Sequence, residues 1–179
     1  MAVTPENPHE FYETPPHAIA EFLREWGPRI ARPRRILEPC AGAGAFIEPL
    51  RVMWPCAPID AFDIEPRHPD VQQRDALMDD EPAAYDLIIT NPAFSLAQAM
   101  VSYCLPRLTK GGRLVLLLPD GFMHSQGRVG WWREHMPEAR YAIPYRISFT
   151  KDGKTDMRDC SWYIWREGLQ ADHYRGYLL

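Results

Sequence analysis

Apolar and polar positions alternate along this chain in short blocks separated by proline, glycine and acidic residues. Apolar runs of about four to eight residues bounded by turn signals mark strands buried on both faces of a parallel sheet. Such runs predict strands at 35–39, 58–63, 71–74, 85–90 and 113–119. Between them, apolar residues recur at helical spacing. Ala18, Ile19, Phe22, Leu23 and Trp26 form one face of a helix that opens at Thr14-Pro15-Pro16, a cap followed by proline, and stops at Gly27-Pro28. Phe46, Ile47, Leu50 and Met53 predict a second helix. Leu96, Met100, Val101, Cys104, Leu105 and Leu108 predict a third over 95–108, capped by Gly111-Gly112. The stretch between Asp63 and Val71 is too short for a crossover helix and predicts a turn. Strands alternating with helices imply a parallel sheet with right-handed connections. The last third differs: Tyr141–Phe149 and Ser161–Trp165 are aromatic and β-prone, and a turn at Lys151-Asp152-Gly153-Lys154 would join them in an antiparallel edge hairpin. Residues 1–10 carry no periodic pattern and are expected to be loosely docked or disordered.

Two strand ends carry candidate chemistry. The run Asp86–Phe94 reads as a buried strand ending in Asn91-Pro92-Ala93-Phe94. That turn would stand at the carboxyl edge of the sheet, where open α/β sheets bind their ligands. Asn91 offers a side-chain carbonyl, Pro92 a backbone carbonyl with no competing N–H, and Phe94 a flat face. Together they suit a planar group carrying an NH₂, such as adenine. Asn-Pro by itself is also a common way to end a strand. The upstream run Ile36–Phe46 narrows the choice, because Gly42-Ala43-Gly44 stands at a strand–helix turn where glycine lets the backbone approach a ligand. The third glycine of a dinucleotide fingerprint is missing. Glu38, just before the turn, would repel a pyrophosphate and suits a cationic amino group. Asp63, nineteen residues after Gly44, ends a second strand in a carboxylate placed to accept both ribose hydroxyls. Ile64 beside it can pack on an adenine ring. Asp75, followed by Ala76, offers a further carboxylate to an adenine amino group.

The order Glu13-Thr14-Pro15-Pro16, Leu37-Glu38-Pro39-Cys40-Ala41-Gly42-Ala43-Gly44, Asp63, Asp75, Asn91-Pro92-Ala93-Phe94 resembles the S-adenosylmethionine-dependent adenine-N6 DNA methyltransferases of gamma-class motif order, over about residues 10–120. The resemblance implies an α/β, Rossmann-like class I methyltransferase fold, with a mostly parallel seven-stranded sheet and an antiparallel edge hairpin. It implies S-adenosyl-L-methionine as cofactor and methyl transfer to the N6 amino group of adenine in DNA. Asn91, Pro92 and Phe94 would be catalytic. Thr14, Glu38, Pro39, Cys40, Gly42, Gly44, Asp63, Ile64, Asp75, Ala76 and Asn91 would hold the cofactor. Ala93 stands where the family usually has a second proline; the acceptor carbonyl belongs to the first, Pro92, so that role survives. The same motif occurs in enzymes that methylate RNA adenine or the glutamine amide of proteins, so these remain alternatives, as does a non-catalytic subunit of the same fold.

Composition sets bounds on these readings. At 179 residues and 46% apolar content, the chain is expected to form a single domain over 1–179, without a separate target-recognition domain, and so to have low or very short sequence specificity. The resemblance implies, since compact members of that family are typical of phages and mobile elements, a self-protecting modification enzyme. No apolar window is long enough to span a membrane, and the first residues lack a signal-peptide pattern. The four cysteines show no metal-ligand spacing, so no metal is expected, and reduced thiols point to the cytoplasm. A net charge of −4 is not the footprint of a strong nucleic-acid binder. The charge is uneven, however: residues 1–120 hold 11 Lys and Arg against 17 Asp and Glu, whereas residues 121–179 hold 9 against 7. The last third is therefore where DNA, or RNA, would approach. There His124, Arg128, Trp131, Trp132 and Arg133 mix basic and aromatic groups that suit phosphate contacts and base stacking. A helix burying both tryptophans accounts for the same residues. Arg146 and Phe149 could close over a target base from the sheet edge. The expected partners are nucleic acid and no membrane, with the chain a monomer or homodimer.

Overall fold

A computed structural model describes residues 12–80, 84–149 and 157–169. The expected loose segment 1–10 and the expected turn at 151–154 lie outside the described residues. The elements in chain order are α1 (Pro16–Trp26), β1 (Ile36–Glu38), α2 (Ile47–Met53), β2 (Ile59–Asp63), β3 (Gln72–Gln73), β4 (Tyr85–Thr90), α3 (Ala97–Cys104), β5 (Leu108–Pro119), α4 (Val129–Glu134), β6 (Ala139–Ala142), β7 (Ile147–Ser148), β8 (Met157–Arg158) and β9 (Cys160–Arg166), joined by short 3₁₀ turns. Seven strands form one sheet in the order β3-β2-β1-β4-β5-β9-β6, and β7 pairs with β8 apart from it. The strands from β3 to β5 run parallel, and β9 inserts antiparallel between β5 and β6. This is the Rossmann-like architecture, a mostly parallel sheet with an antiparallel edge pair.

Strand parity divides the core into two layers. Side chains alternate across a strand. Thus Leu87, Ile89, Val115, Leu117, Trp162 and Ile164 face one layer with Phe22, Trp26, Phe46 and Leu50 of the α1 and α2 side. Ile88, Leu114, Leu116, Leu118, Tyr163 and Trp165 face the other, with Met100, Val101 and Cys104 of α3 and Trp132 of α4. The central strands are buried on both faces, which is why they read as unbroken apolar runs.

Four local expectations are corrected. Pro15, not Thr14, occupies the cap position of α1, and no side chain caps that helix. The helix expected over 95–108 is α-helical only at Ala97–Cys104, flanked by 3₁₀ turns at Phe94–Leu96 and Leu105–Arg107, the second of which contains Pro106. Gly111-Gly112 does not cap it. The pair lies inside β5, where the register against β4 slips between Tyr85↔Leu108 and Leu87↔Arg113. Gly111 takes φ +75°, and a Cβ on Gly112 would come within 2.8 Å of the Thr109 carbonyl oxygen, so the extra residues loop out on glycine. Finally, the run Tyr141–Phe149 is not one strand. It splits at Pro144, which has no N–H to donate, into β6 on the main sheet and β7 on β8.

Candidate active site

Four strand ends and the segment before α1 converge on one cavity of about 380 Å³ at the carboxyl edge of the parallel strands. Its walls include Thr14, Glu38, Pro39, Cys40, Gly42, Asp63, Ile64, Asp75, Ala76 and Asn91, together with Tyr12, Ala41, Ser95, Leu96 and Met100, none of which the sequence offered as a site residue. Gly44 is not on the wall. It takes φ +76°, and a Cβ there would stand 2.8 Å from Cγ of His68 and 3.1 Å from Cδ1 of Ile47. Its role in the structure is the close packing of the turn.

The glycine turn is held from beneath and from the side. Ala41 donates its N–H to the Phe62 carbonyl at 2.8 Å, and Gly44 donates to the Ala41 carbonyl at 2.6 Å. Gly42, at φ 48°, donates to Oδ2 of Asp63 at 2.7 Å. Oδ1 of the same carboxylate accepts from the Glu65 backbone N–H at 2.8 Å. Asp63 thus latches the loop after β1 to the loop after β2. Each of its oxygens retains acceptor capacity, because a carboxylate oxygen has two lone-pair sites. Asp75 caps the 3₁₀ turn Ala76–Met78, accepting from the Leu77 N–H at 3.0 Å.

Glu38 is the electrostatic anomaly of the cavity. It is 1% exposed, and its Oε2 has no hydrogen-bond partner among the described residues. Burial, and then the nearby Asp63 charge, push its carboxyl well above the ordinary value of 4.5. A buried carboxyl with an idle oxygen is expensive unless a cation meets it. Burial likewise pushes the neighbouring Cys40 thiol up to about 12, which keeps it protonated and inert.

Asn91 follows β4. Its Nδ2 donates to the backbone carbonyl of Tyr12 at 2.7 Å, whereas its buried Oδ1 has no partner among the described residues. Pro92 is buried, and Ala93 at φ −50° and ψ 127° leads into the 3₁₀ turn that carries Phe94. The Phe94 ring stacks on Tyr12, with centroids 5.3 Å apart and planes 14° apart, and meets the edge of Phe149 at 6.0 Å. The guanidinium of Arg158 lies over both Tyr12 and Phe94, at 5.4 and 5.7 Å.

The other residues expected to contact a nucleic acid lie elsewhere. Arg128 donates to the Phe122 carbonyl at 2.7 Å and covers its ring. Trp131 stacks on His135 at 4.6 Å and meets Phe122 and Trp132 edge-on. Trp132 is buried in the core. Arg146 pairs with Asp159 at 3.2 Å, and His124 and Arg133 are exposed away from the cavity wall. Of this set, only Phe149 reaches the Asn91–Phe94 turn. Tyr12 has a weak signal in the sequence, its place two residues before Thr14. Arg158 has none. Among the described residues no helix is long and apolar enough to cross a membrane, and no His, Cys, Asp and Glu cluster could hold a metal.

The strand order and a cavity at the carboxyl edge of β1, β2 and β4 define the fold of the class I S-adenosylmethionine-dependent methyltransferases. Solved structures share it at low identity. A protein described as an RNA methyltransferase from Pyrococcus horikoshii aligns with a TM-score of 0.67 at 13% identity, covering 92% of this chain and 91% of that one. The type I restriction-modification methyltransferase subunit from Streptococcus thermophilus aligns with a TM-score of 0.66 at 13% identity, covering 92% of this chain but 46% of the subunit. The N-methyltransferase NodS from Bradyrhizobium japonicum, in complex with S-adenosyl-L-homocysteine, aligns with a TM-score of 0.60 at 16% identity, covering 88% and 90%. No family model and no curated protein matches the sequence.

Proposed function

We propose that this protein transfers a methyl group from S-adenosyl-L-methionine to the N6 amino group of adenine in DNA, through a site held in one domain. The observation that carries this reading is the idle acceptor of Asn91. A buried Oδ1 with no partner among the described residues, in the turn that also carries Pro92 and Phe94, suits an NH₂ group. The cavity suits the cofactor for a matching reason. Glu38 Oε2 has no hydrogen-bond partner among the described residues, and the cofactor's amino-acid ammonium would be one. Asp63 keeps lone pairs for the ribose hydroxyls, Asp75 offers a carboxylate to the adenine edge, and Ile64 and Thr14 line the same wall.

When bound, the cofactor supplies a methyl group on a sulfonium, which needs no metal and no covalent enzyme intermediate. The chain must activate the acceptor. The lone pair of an adenine amino nitrogen is delocalised into the ring. Asn91 Oδ1 and the Pro92 carbonyl, each accepting one N–H, draw that nitrogen toward tetrahedral geometry and stabilise the positive charge that develops on it. Phe94 supports the ring face. Holding the nitrogen in line with the methyl group contributes through orientation. A base within a duplex cannot reach this turn, so it must be flipped out or unpaired.

RNA adenine is the second reading, favoured by a similar fold in a protein described as an RNA methyltransferase whose length this chain nearly spans. Tritiated methyl transfer to unmethylated duplex DNA, single-stranded DNA, total RNA and a protein lysate decides between them. Label at N6-adenine in DNA is expected. Label confined to RNA or to protein would replace the substrate, and no label with the cofactor bound would overturn the enzymatic reading.

A further inference from the structure

We propose that the Tyr12 ring occupies the acceptor's place on Phe94 and is displaced when the acceptor enters. This inference rests on the reading of Phe94 as the surface on which a planar acceptor stacks. Tyr12 lies nearly parallel to Phe94, with centroids 5.3 Å apart and planes at 14°, the arrangement an acceptor ring would take. Phe149 meets both rings edge-on or tilted, at 6.0 Å from Phe94 and 5.4 Å from Tyr12. Arg158 covers both rings and donates to the Tyr12 hydroxyl at 3.4 Å. The cavity wall accordingly includes Tyr12, Asn91, Ala93 and Ser95 but neither Pro92 nor Phe94. A base cannot slide between Tyr12 and Phe94 unless the rings part by the rise between stacked bases, about 3.4 Å.

The way Tyr12 is fastened makes exchange feasible. Asn91 holds the Tyr12 backbone carbonyl, not the ring. The ring can therefore rotate about its Cα–Cβ bond while the carbonyl stays on Nδ2 and Oδ1 stays aimed at the acceptor. Tyr12 is thus a specificity-determining residue: an acceptor must replace its stacking and its contact with Arg158, which favours planar aromatic bases over a glutamine amide. On departure of the Tyr12 ring, the Arg158 cation faces the incoming acceptor, a position suited to a nucleotide.

The test compares acceptor KM for wild type, Tyr12→Ala and Tyr12→Phe, using an adenine-containing single-stranded oligonucleotide. Saturable cofactor binding shows that each variant is folded. Removing a closed state that holds about 70–90% of the molecules should lower the apparent KM of Tyr12→Ala by roughly threefold to tenfold. Tyr12→Phe keeps the stack, so its KM should lie between the two. A KM for Tyr12→Ala that rises or stays unchanged, while the wild type methylates adenine, overturns the proposal and leaves the functional reading standing. If the wild type labels only protein, the functional reading falls, and the same comparison on that acceptor decides the role of Tyr12. If the wild type labels no acceptor, both fall.

Discussion

Asn91 donates its side-chain amide to the Tyr12 carbonyl at 2.7 Å, and this bond decides which end of the amide is left for chemistry. A backbone carbonyl only accepts, so Nδ2 must face it. Oδ1 is then the end with no partner among the described residues. The segment before α1 thereby orients the oxygen that would accept a hydrogen bond from the acceptor's amino group. Asn91→Ala removes that acceptor. We expect kcat to fall by about 10²–10³-fold, the loss typical of deleting one preorganised charge-stabilising group. Cofactor affinity, measured by calorimetry, should change little. Retained turnover would show that Asn91 Oδ1 is not part of the reaction.

Glu38 makes the ligand-free protein sensitive to pH. Its folded carboxyl titrates well above 4.5, chiefly because it is buried. A raised folded pKa means that the stabilisation is complete below the unfolded value and is lost as pH rises from about 4.5 through the folded value. Glu38→Gln should remove that slope, so the Tm of the ligand-free variant should exceed that of the wild type at neutral pH. The same substitution should weaken cofactor binding, because the ammonium loses its counter-charge. In the wild type, cofactor binding should release a proton and tighten as pH rises, which calorimetry in buffers of different ionisation enthalpy measures. Parallel Tm profiles for the two proteins would remove Glu38 from this role.

Gly44 is a packing position. An alanine there must adopt φ +76° and would place Cβ 2.8 Å from the His68 ring. Gly44→Ala should cost about 1–3 kcal/mol of stability. Urea denaturation reads this directly. Full stability in the variant would mean that the turn relaxes freely.

Ala93 tests how much the missing proline matters. Its φ of −50° is one a proline ring adopts. Ala93→Pro should therefore be tolerated, retain transfer activity and add about 0.4–1 kcal/mol of stability by restricting the unfolded chain. A loss of stability would indicate that the proline ring collides with the turn.

Residues adjacent in the chain were the legible part of this protein. The runs 36–38 and 85–90 are largely buried, and 59–63 buries Ala61 and Phe62, so their apolar positions announced them, and the polar residues at their ends fell at the carboxyl edge by parallel topology. Glu38, Asp63 and Asn91 were legible for that reason, and Asp75 as the carboxylate after the short β3. Gly111-Gly112 misled, because a glycine pair after a helix reads as a cap, and only the β4–β5 register shows it as a bulge. Arg128 and Trp131 pack on Phe122 and His135 away from the cavity wall, a placement the sequence does not show, because basic and aromatic residues on a short helix look the same whether they meet phosphates or pack on neighbours.

The sequence by itself determined the order of elements, the sheet edge that carries the site and the acidic groups that line it, since each follows from local periodicity and strand-end chemistry. Only the tertiary structure decided that Tyr12, Phe94, Phe149 and Arg158 meet, that Asn91 presents its oxygen and that Glu38 Oε2 is buried with no hydrogen-bond partner among the described residues. The physical reason is separation along the chain: the contact between Tyr12 and Arg158 joins residues 146 positions apart. Such a contact forms when the packing of several layers closes, and no local pattern encodes it.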